Sequence, residues 1–161
     1  MTPTAPSAAC YGLIKEFEQG PKGGFAPDPY RCPAGKETIG WGHVITDRDR
    51  ITPPLTEADA HALLVADVAR VADAVSRAVR GPLDQCRFDA LVSLAYNIGI
   101  GAFLGSTLLA QLNAGCVLAA ADQFKRWDKS TVHGQKVRLA GLSRRRAIEA
   151  ELFLRDWGKR K

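Results

Sequence analysis

The chain has 161 residues, of which 46% are hydrophobic and 24% charged, so it is the size of one domain and can bury a core without covalent staples. That composition excludes a wholly disordered chain, a collagen-like repeat and a disulfide-dense miniprotein. The net charge of +5 is concentrated at one end: residues 125–161 carry 12 Lys and Arg against 4 Asp and Glu, which points to a polyanionic partner or to a solvated basic face.

Residues 1–9 are small and polar and read as a frayed start. Over residues 10–19, Leu13, Ile14 and Phe17 form an apolar stripe that predicts a short helix. Residues 20–35 are dense in Gly and Pro and predict loop, with an edge strand at Tyr30–Cys32. Residues 37–46 (ETIGWGHVIT) read as strand, with Gly40 and Gly42 marking close backbone approach or a bulge. Thr56 and Asp59 make a capping box for a helix over 57–80, in which Leu64, Val68, Val71, Val75 and Val79 share one face. Gly81 and Pro82 stop it. Asp84 caps a helix over 85–98 that is apolar on most sides and belongs at the centre of a bundle. Ser106 opens a short helix ending near Gly115, and residues 116–127 form another. Residues 128–140 are loop, Ser143 caps a last helix reaching Trp157, and GKRK is a basic tail. A small β region followed by helices predicts an α+β chain with segregated layers. As a single domain it divides into a first helix and β lobe (10–55), a linking helix (56–80), a helical lobe (81–157) and the tail (158–161).

No charged residue stands between Ala90 and Ala121, and about 20 apolar residues suffice to span a bilayer. Glycines and polar residues interrupt the run, however, so it predicts core helices joined by tight turns rather than stable membrane insertion. Cysteines 10, 32, 86 and 116 form no CxxC pair and histidines 43, 61 and 133 no HExxH, so neither a metal nor a cofactor is expected. The start MTPTAPSAAC lacks a basic n-region and an apolar h-region. It predicts a protein made in a reducing cytoplasm with free thiols.

The reactive groups gather in the loop-rich first third: Glu18 at the end of the opening helix, Cys32 in the Gly/Pro loop and Thr38 at the start of the strand. Alone, each has a bland reading, because a Glu at a helix end is usually solvated and a Cys is usually a small buried hydrophobe. The blocks LIKEFEQG (13–20), YRCPAGKETIGWGH (30–43), LTEADA (55–60), FDALVSLAYNIGIGAFLGSTLLAQLNAG (88–115), AADQFKRWDK (120–129) and GLSRRRAIEAELFL (141–154) together change that. In this order they resemble the phage-type lysozymes, the endolysin family of peptidoglycan hydrolases (glycoside hydrolase family 24), from about residue 13 to 157.

The resemblance implies a two-lobed lysozyme-like α+β fold, with a small N-terminal β lobe and a larger helical C-terminal lobe joined by a long helix. It implies hydrolysis of the β-1,4 bond between N-acetylmuramic acid and N-acetylglucosamine in bacterial peptidoglycan, causing host cell lysis. The family's pattern is Glu, eight residues, Asp or Cys, five residues, Thr. Cys32 and Thr38 keep that spacing, but thirteen residues separate Glu18 from Cys32. Glu18 is therefore the acid if the five extra residues form a loop insertion within 21–29. Glu16, turned about 160° away around the helix, is the alternative. Departure of the sugar oxygen requires a proton from that acid, and Thr38 can hydrogen-bond the attacking water. Cys32 is left as base, nucleophile or bystander. The resemblance also sets Arg145 against the catalytic Glu, pairs His43 with Asp67 in a structural ion pair between lobes, and makes Asn97 and Trp127 core or cleft lining. The implied partner is peptidoglycan. No nucleic acid is expected, and the protein would act as a monomer held in the host cytoplasm until a holin releases it to the wall. Two other readings stay open: a lytic transglycosylase using only Glu18, and a non-catalytic basic envelope-binding module.

Overall fold

In the computed structural model, residue 3 and residues 5–157 are described. The elements are α1 (Ala8–Phe17), β1 (Ala26–Arg31), β2 (Glu37–Gly40), β3 (His43–Val44), α2 (Glu57–Ala78), α3 (Gln85–Ile98), α4 (Ile100–Leu104), α5 (Thr107–Asn113), α6 (Val117–Asp122), a 3-10 helix (Phe124–Trp127), β4 (Lys129–Val132), β5 (Gln135–Arg138) and α7 (Ala140–Leu154). The class is α+β. The chain separates into two compact units, one of residues 11–70 and one of residues 71–161 together with 1–10.

The unit of residues 11–70 holds an antiparallel sheet in the order β1-β2-β3. β1 runs longer than the expected Tyr30–Cys32 strand and stops at Arg31. It lies at the sheet edge, where Pro27 and Pro29 can be accommodated although neither has an N–H to give to a ladder. The register is Tyr30↔Thr38 and Arg31↔Glu37, with a shift between Ala26 and Tyr30. The single strand expected over 37–46 is instead two. The chain folds back at Trp41–Gly42, where Gly42 takes φ +85°, a conformation that costs glycine nothing. β2 and β3 then pair as Thr38↔Val44 and Ile39↔His43. The expected capping box is formed at the start of α2: the Thr56 hydroxyl accepts from the Asp59 amide at 3.1 Å, and Asp59 Oδ2 accepts from the Thr56 amide at 3.0 Å. Leu13, Ile14, Ile39, Leu55, Ala60, Leu64 and Val68 are buried in this unit.

The other unit is built on α3. Asp84 caps it by accepting from the Arg87 amide at 2.8 Å, and Phe88, Leu91 and Leu94 are fully buried. α3 packs on α7, and α7 on the 3-10 helix, where the rings of Phe124 and Phe153 meet at 5.4 Å. Ser7 is tied to Asp89 of α3 through its amide (3.0 Å) and hydroxyl (2.5 Å). The uncharged run from Ala90 is divided among α3, α4, α5 and α6; among the described residues no helix is long and apolar enough to cross a membrane.

Five expectations differ from the structure. The opening helix covers Ala8–Phe17 rather than 10–19. Residues 116–127 are not one helix, since α6 ends at Asp122 and a 3-10 turn follows. Residues 128–140 are not loop but the β4–β5 hairpin. Ser143 does not cap the last helix: α7 begins at Ala140 after Leu139, and the Ser143 hydroxyl bonds Asp128 Oδ2 at 3.2 Å. α7 stops at Leu154, short of Trp157, and the GKRK tail lies outside the described residues. The four cysteines are free thiols.

Candidate active site

Glu18 follows the last residue of α1, and its amide still donates to the Ile14 carbonyl at 2.9 Å. The final helical turn therefore holds it. Glu18 is half-buried, whereas Glu16 is exposed. The carboxylate lies on bare backbone at the β2–β3 turn: a Cβ built on Gly42 would stand 3.2 Å from Glu18 Oε2 and 3.6 Å from Glu18 Cβ. Any side chain at position 42 would meet the carboxylate.

The β1–β2 hairpin supplies the other groups. The Cys32 amide donates to the Lys36 carbonyl (3.0 Å) and the Gly35 amide to the Cys32 carbonyl (2.8 Å), which closes a tight turn over 32–36. Side chains alternate along a strand, and cross-strand partners share a side. Tyr30, Cys32 and Thr38 therefore lie on one face. Thr38 is buried, and its hydroxyl donates to the Lys36 carbonyl at 3.1 Å. The Lys36 amide first, then the Thr38 hydroxyl, the Ala34 amide and the Lys36 charge, hold the Cys32 thiol below its ordinary value against the opposing effect of burial. Such donors favour the thiolate. The Thr38 hydroxyl has one hydrogen and two acceptors in reach, the Lys36 carbonyl and the sulfur, so it can swing to the sulfur as the thiol ionises.

Tyr30 joins these groups to Glu18. Partial burial first, then the charges of Glu18 and Cys32, push its phenol up, so it stands within electrostatic reach of both. Sequence reasoning did not single it out; the only signal was its place two residues before Cys32. Trp41, on the β2–β3 turn, is buried beside the Phe25 ring at 6.1 Å and under Lys15 Nζ at 5.0 Å, a cation–π contact that braces the turn carrying Gly42.

The structure brings His43 and Asp67 together, but within the unit of residues 11–70 rather than between lobes as expected. His43 Nδ1 is 2.7 Å from Asp67 Oδ2, and Nε2 is 3.4 Å from Asp49 Oδ2. Asp67 also pairs with Arg70. The Asp67 hydrogen bond, and then the charges of Asp67 and Asp49, hold the imidazole above its ordinary value against desolvation. Asp49 was not expected from sequence. It is fixed by the Thr46 amide and hydroxyl, both at 2.7 Å, which keep its carboxyl below the usual carboxylate range with a further contribution from His43.

Arg145 lies in the other unit. With Arg146 and Glu149 it is almost wholly shielded from solvent, at 1%, 1% and 0% exposure. Arg145 Nε bonds Glu149 Oε1 at 3.1 Å and its Nη2 bonds the Ser93 carbonyl at 3.2 Å. Arg146 reaches Glu149 Oε2 at 2.9 Å and Asn97 Oδ1 at 3.1 Å. The Ser93 hydroxyl donates to Glu149 Oε1 at 2.6 Å. Burial pushes the Glu149 carboxyl up, while the guanidiniums of Arg146 and Arg145 oppose it. Sequence reasoning passed over Arg146 and Glu149; the signal was the three- and four-residue spacing from two arginines to one acid on a helix. Among the described residues no group of three or more His, Cys, Asp or Glu is placed to hold a metal ion.

A family model described as phage lysozyme matches residues 21–149, a span that takes in Cys32, Thr38, His43, Asp67 and Arg145 and begins just after Glu18. An endolysin of Acyrthosiphon pisum secondary endosymbiont phage 1 is 39% identical over 141 residues, which is 88% of this chain and 92% of that protein. An endolysin of Bacillus phage PZA is 42% identical over 151 residues, 91% of this chain, but the chain spans only 54% of that longer protein. Among solved structures, the muramidase domain of SpmX from Asticaccaulis excentricus aligns with a TM-score of 0.80 at 41% identity, covering 92% of this chain and 96% of that one.

Proposed function

The chain belongs to the phage lysozyme family, and we propose that within its endolysin activity Glu18 is the general acid and Cys32, helped by Thr38, the base. The reaction is hydrolysis of the β-1,4 bond between N-acetylmuramic acid and N-acetylglucosamine in peptidoglycan. The observation that carries the assignment is the tight turn that sets Cys32 just beyond the Tyr30–Thr38 pair, where the Lys36 amide and the Thr38 hydroxyl hold its thiol below the ordinary value.

Glu18 gives its proton to the bridging oxygen as the bond from that oxygen to the anomeric carbon breaks. A water held by the Thr38 hydroxyl loses a proton to the Cys32 thiolate as its oxygen bonds to that carbon from the opposite side, which inverts the configuration. The products are a muramic acid reducing end and a free hydroxyl on the departing sugar. The enzyme is left with an ionised Glu18 and a neutral thiol, and solvent returns the proton. In this reading His43 and Asp67 hold structure. The protein works as a monomer on the cell wall after a holin-type pore lets it out of the host cytoplasm.

The test is release of fragments from purified peptidoglycan by wild type, Glu18→Gln and Cys32→Ser, with the fragments weighed by mass spectrometry. Glu18→Gln should abolish release, and Cys32→Ser should slow it by about 100-fold or more. Full activity in Cys32→Ser would remove the thiol from the mechanism. A sugar adduct on Cys32 would make it a nucleophile, and anhydro ends one water lighter than hydrolysed ends would make the enzyme a transglycosylase.

A further inference from the structure

The β4–β5 hairpin is remote in sequence from Glu18, Cys32 and Thr38, and it buries little of itself. Its register is Lys129↔Arg138, Ser130↔Val137, Thr131↔Lys136 and Val132↔Gln135. Because sides alternate along each strand and partners share a side, Lys129, Thr131, Lys136 and Arg138 form one face. Ser130, Val132, Gln135 and Val137 form the other. Every residue of the hairpin strands is exposed except the half-buried Ser130. The first face holds three cations and no acid. Arg138 is tied to Asp128 at 2.7 Å, whereas Lys129 and Lys136 have no ion-pair partner among the described residues.

This arrangement does not serve the hairpin's own stability. A cation directly across from a cation is destabilising in a strand pair, and two strands wet on both faces are marginal. The turn is nevertheless well defined, since His133 and Gly134 both take positive φ, +48° and +79°, the two-residue geometry whose twist matches the flanking strands. The chain thus holds an exposed hairpin that concentrates positive charge on one side.

We propose that the cationic face of β4–β5 is a docking surface for the free carboxylates on the peptide stems of peptidoglycan. The proposal rests on the muramidase reading and adds a second contact with the same polymer. Lysine suits the task, being a point charge on a flexible stem that can follow an irregular polyanion. Arg138, fixed by Asp128, anchors the base of the hairpin. The contact is long-range, weakened by salt, and able to hold the enzyme at the wall between cleavages.

The experiment measures binding of the full chain in a Glu18→Gln background, so that the wall is not digested, to purified peptidoglycan freed of phosphate polymers. Lys129→Gln/Lys136→Gln should bind about fivefold more weakly at low salt and respond less to added salt. Lys129→Arg/Lys136→Arg should keep wild-type binding, which guards against a folding artefact, and Val132→Thr/Val137→Thr on the other face should change nothing. Amidating the wall carboxylates should bring the parent down to the level of the glutamine variant. Equal binding by parent and glutamine variant would overturn the proposal, as would a difference that survives amidation or a loss confined to the valine variant. Fragment release by the Glu18→Gln parent, followed in parallel, would sink the catalytic assignment, whereas equal retention of parent and glutamine variant without release would sink the docking surface alone.

Discussion

Gly42 lies directly beneath Glu18: the position its missing side chain would occupy is 3.2 Å from the Glu18 carboxylate oxygen, at a φ of +85°. Two demands meet at this residue, a left-handed backbone for the β2–β3 turn and empty space for the acid. Gly42→Ala should therefore cost about 1–2 kcal/mol in backbone strain and also push the carboxylate out of place. Small misplacements of an acid are expensive in rate, so fragment release should fall by about tenfold or more. Gly99→Ala is the control, because Gly99 has φ +92° but open space around its would-be Cβ. It should lower the melting temperature to a similar degree and leave turnover intact. Equal rate losses in both variants would mean that the space above Gly42 does not matter.

The thiol offers a readout independent of catalysis. The Lys36 amide and the Thr38 hydroxyl favour its ionised form, so Thr38→Val should move the pH profile of Cys32 alkylation to higher pH. Cys116 is exposed and will also react, so the modified Cys32 peptide should be followed by mass. An unchanged profile would show that the hydroxyl does not stabilise the thiolate.

The His43–Asp67 pair predicts how stability depends on pH. Its imidazole is held above its ordinary value in the folded state, so its contribution is fully present below the unfolded value near 6.5 and is lost as pH rises through the raised folded value. Asp67→Asn should thus destabilise by about 1–3 kcal/mol in mildly acidic solution and by progressively less toward alkaline pH. Denaturant unfolding across that range provides the check, and a penalty that grew with pH would contradict the assignment.

Glu149 bridges Arg145 and Arg146 in their buried cluster. Replacing it with Leu leaves two shielded guanidiniums without their shared counter-charge, which should cost about 3–5 kcal/mol. Replacing Arg146 with Met removes one cation and leaves Glu149 with Arg145, so the loss should be smaller. Thermal unfolding of the two variants measures the difference. If Glu149→Leu proved the milder change, the carboxylate would not be the hub of the cluster.

Local signals in the sequence reached as far as the helices they belong to. Asp84 and the all-round apolar surface that follows it determined α3 over Gln85–Ile98, and Thr56 with Asp59 determined where α2 begins, because capping and helical periodicity act over only a few residues. The spacing of Cys32 and Thr38 suited a shared face, but it became one only when the turn over 32–36 set the register. Tertiary structure alone decided the rest. Thirteen residues between Glu18 and Cys32 leave the path of the chain open, so spacing could not say that Glu18 would settle on Gly42 or that Tyr30 would stand within reach of both groups. Nor could it bring Asp49 to His43. The hairpin after Asp128 was illegible for a related reason: its strands alternate cations with small and branched residues and bury little, so no apolar run announced them, and only pairing across the His133–Gly134 turn made them strands. Short-range backbone geometry is written residue by residue, whereas contacts across a loop depend on how the whole chain closes and packs.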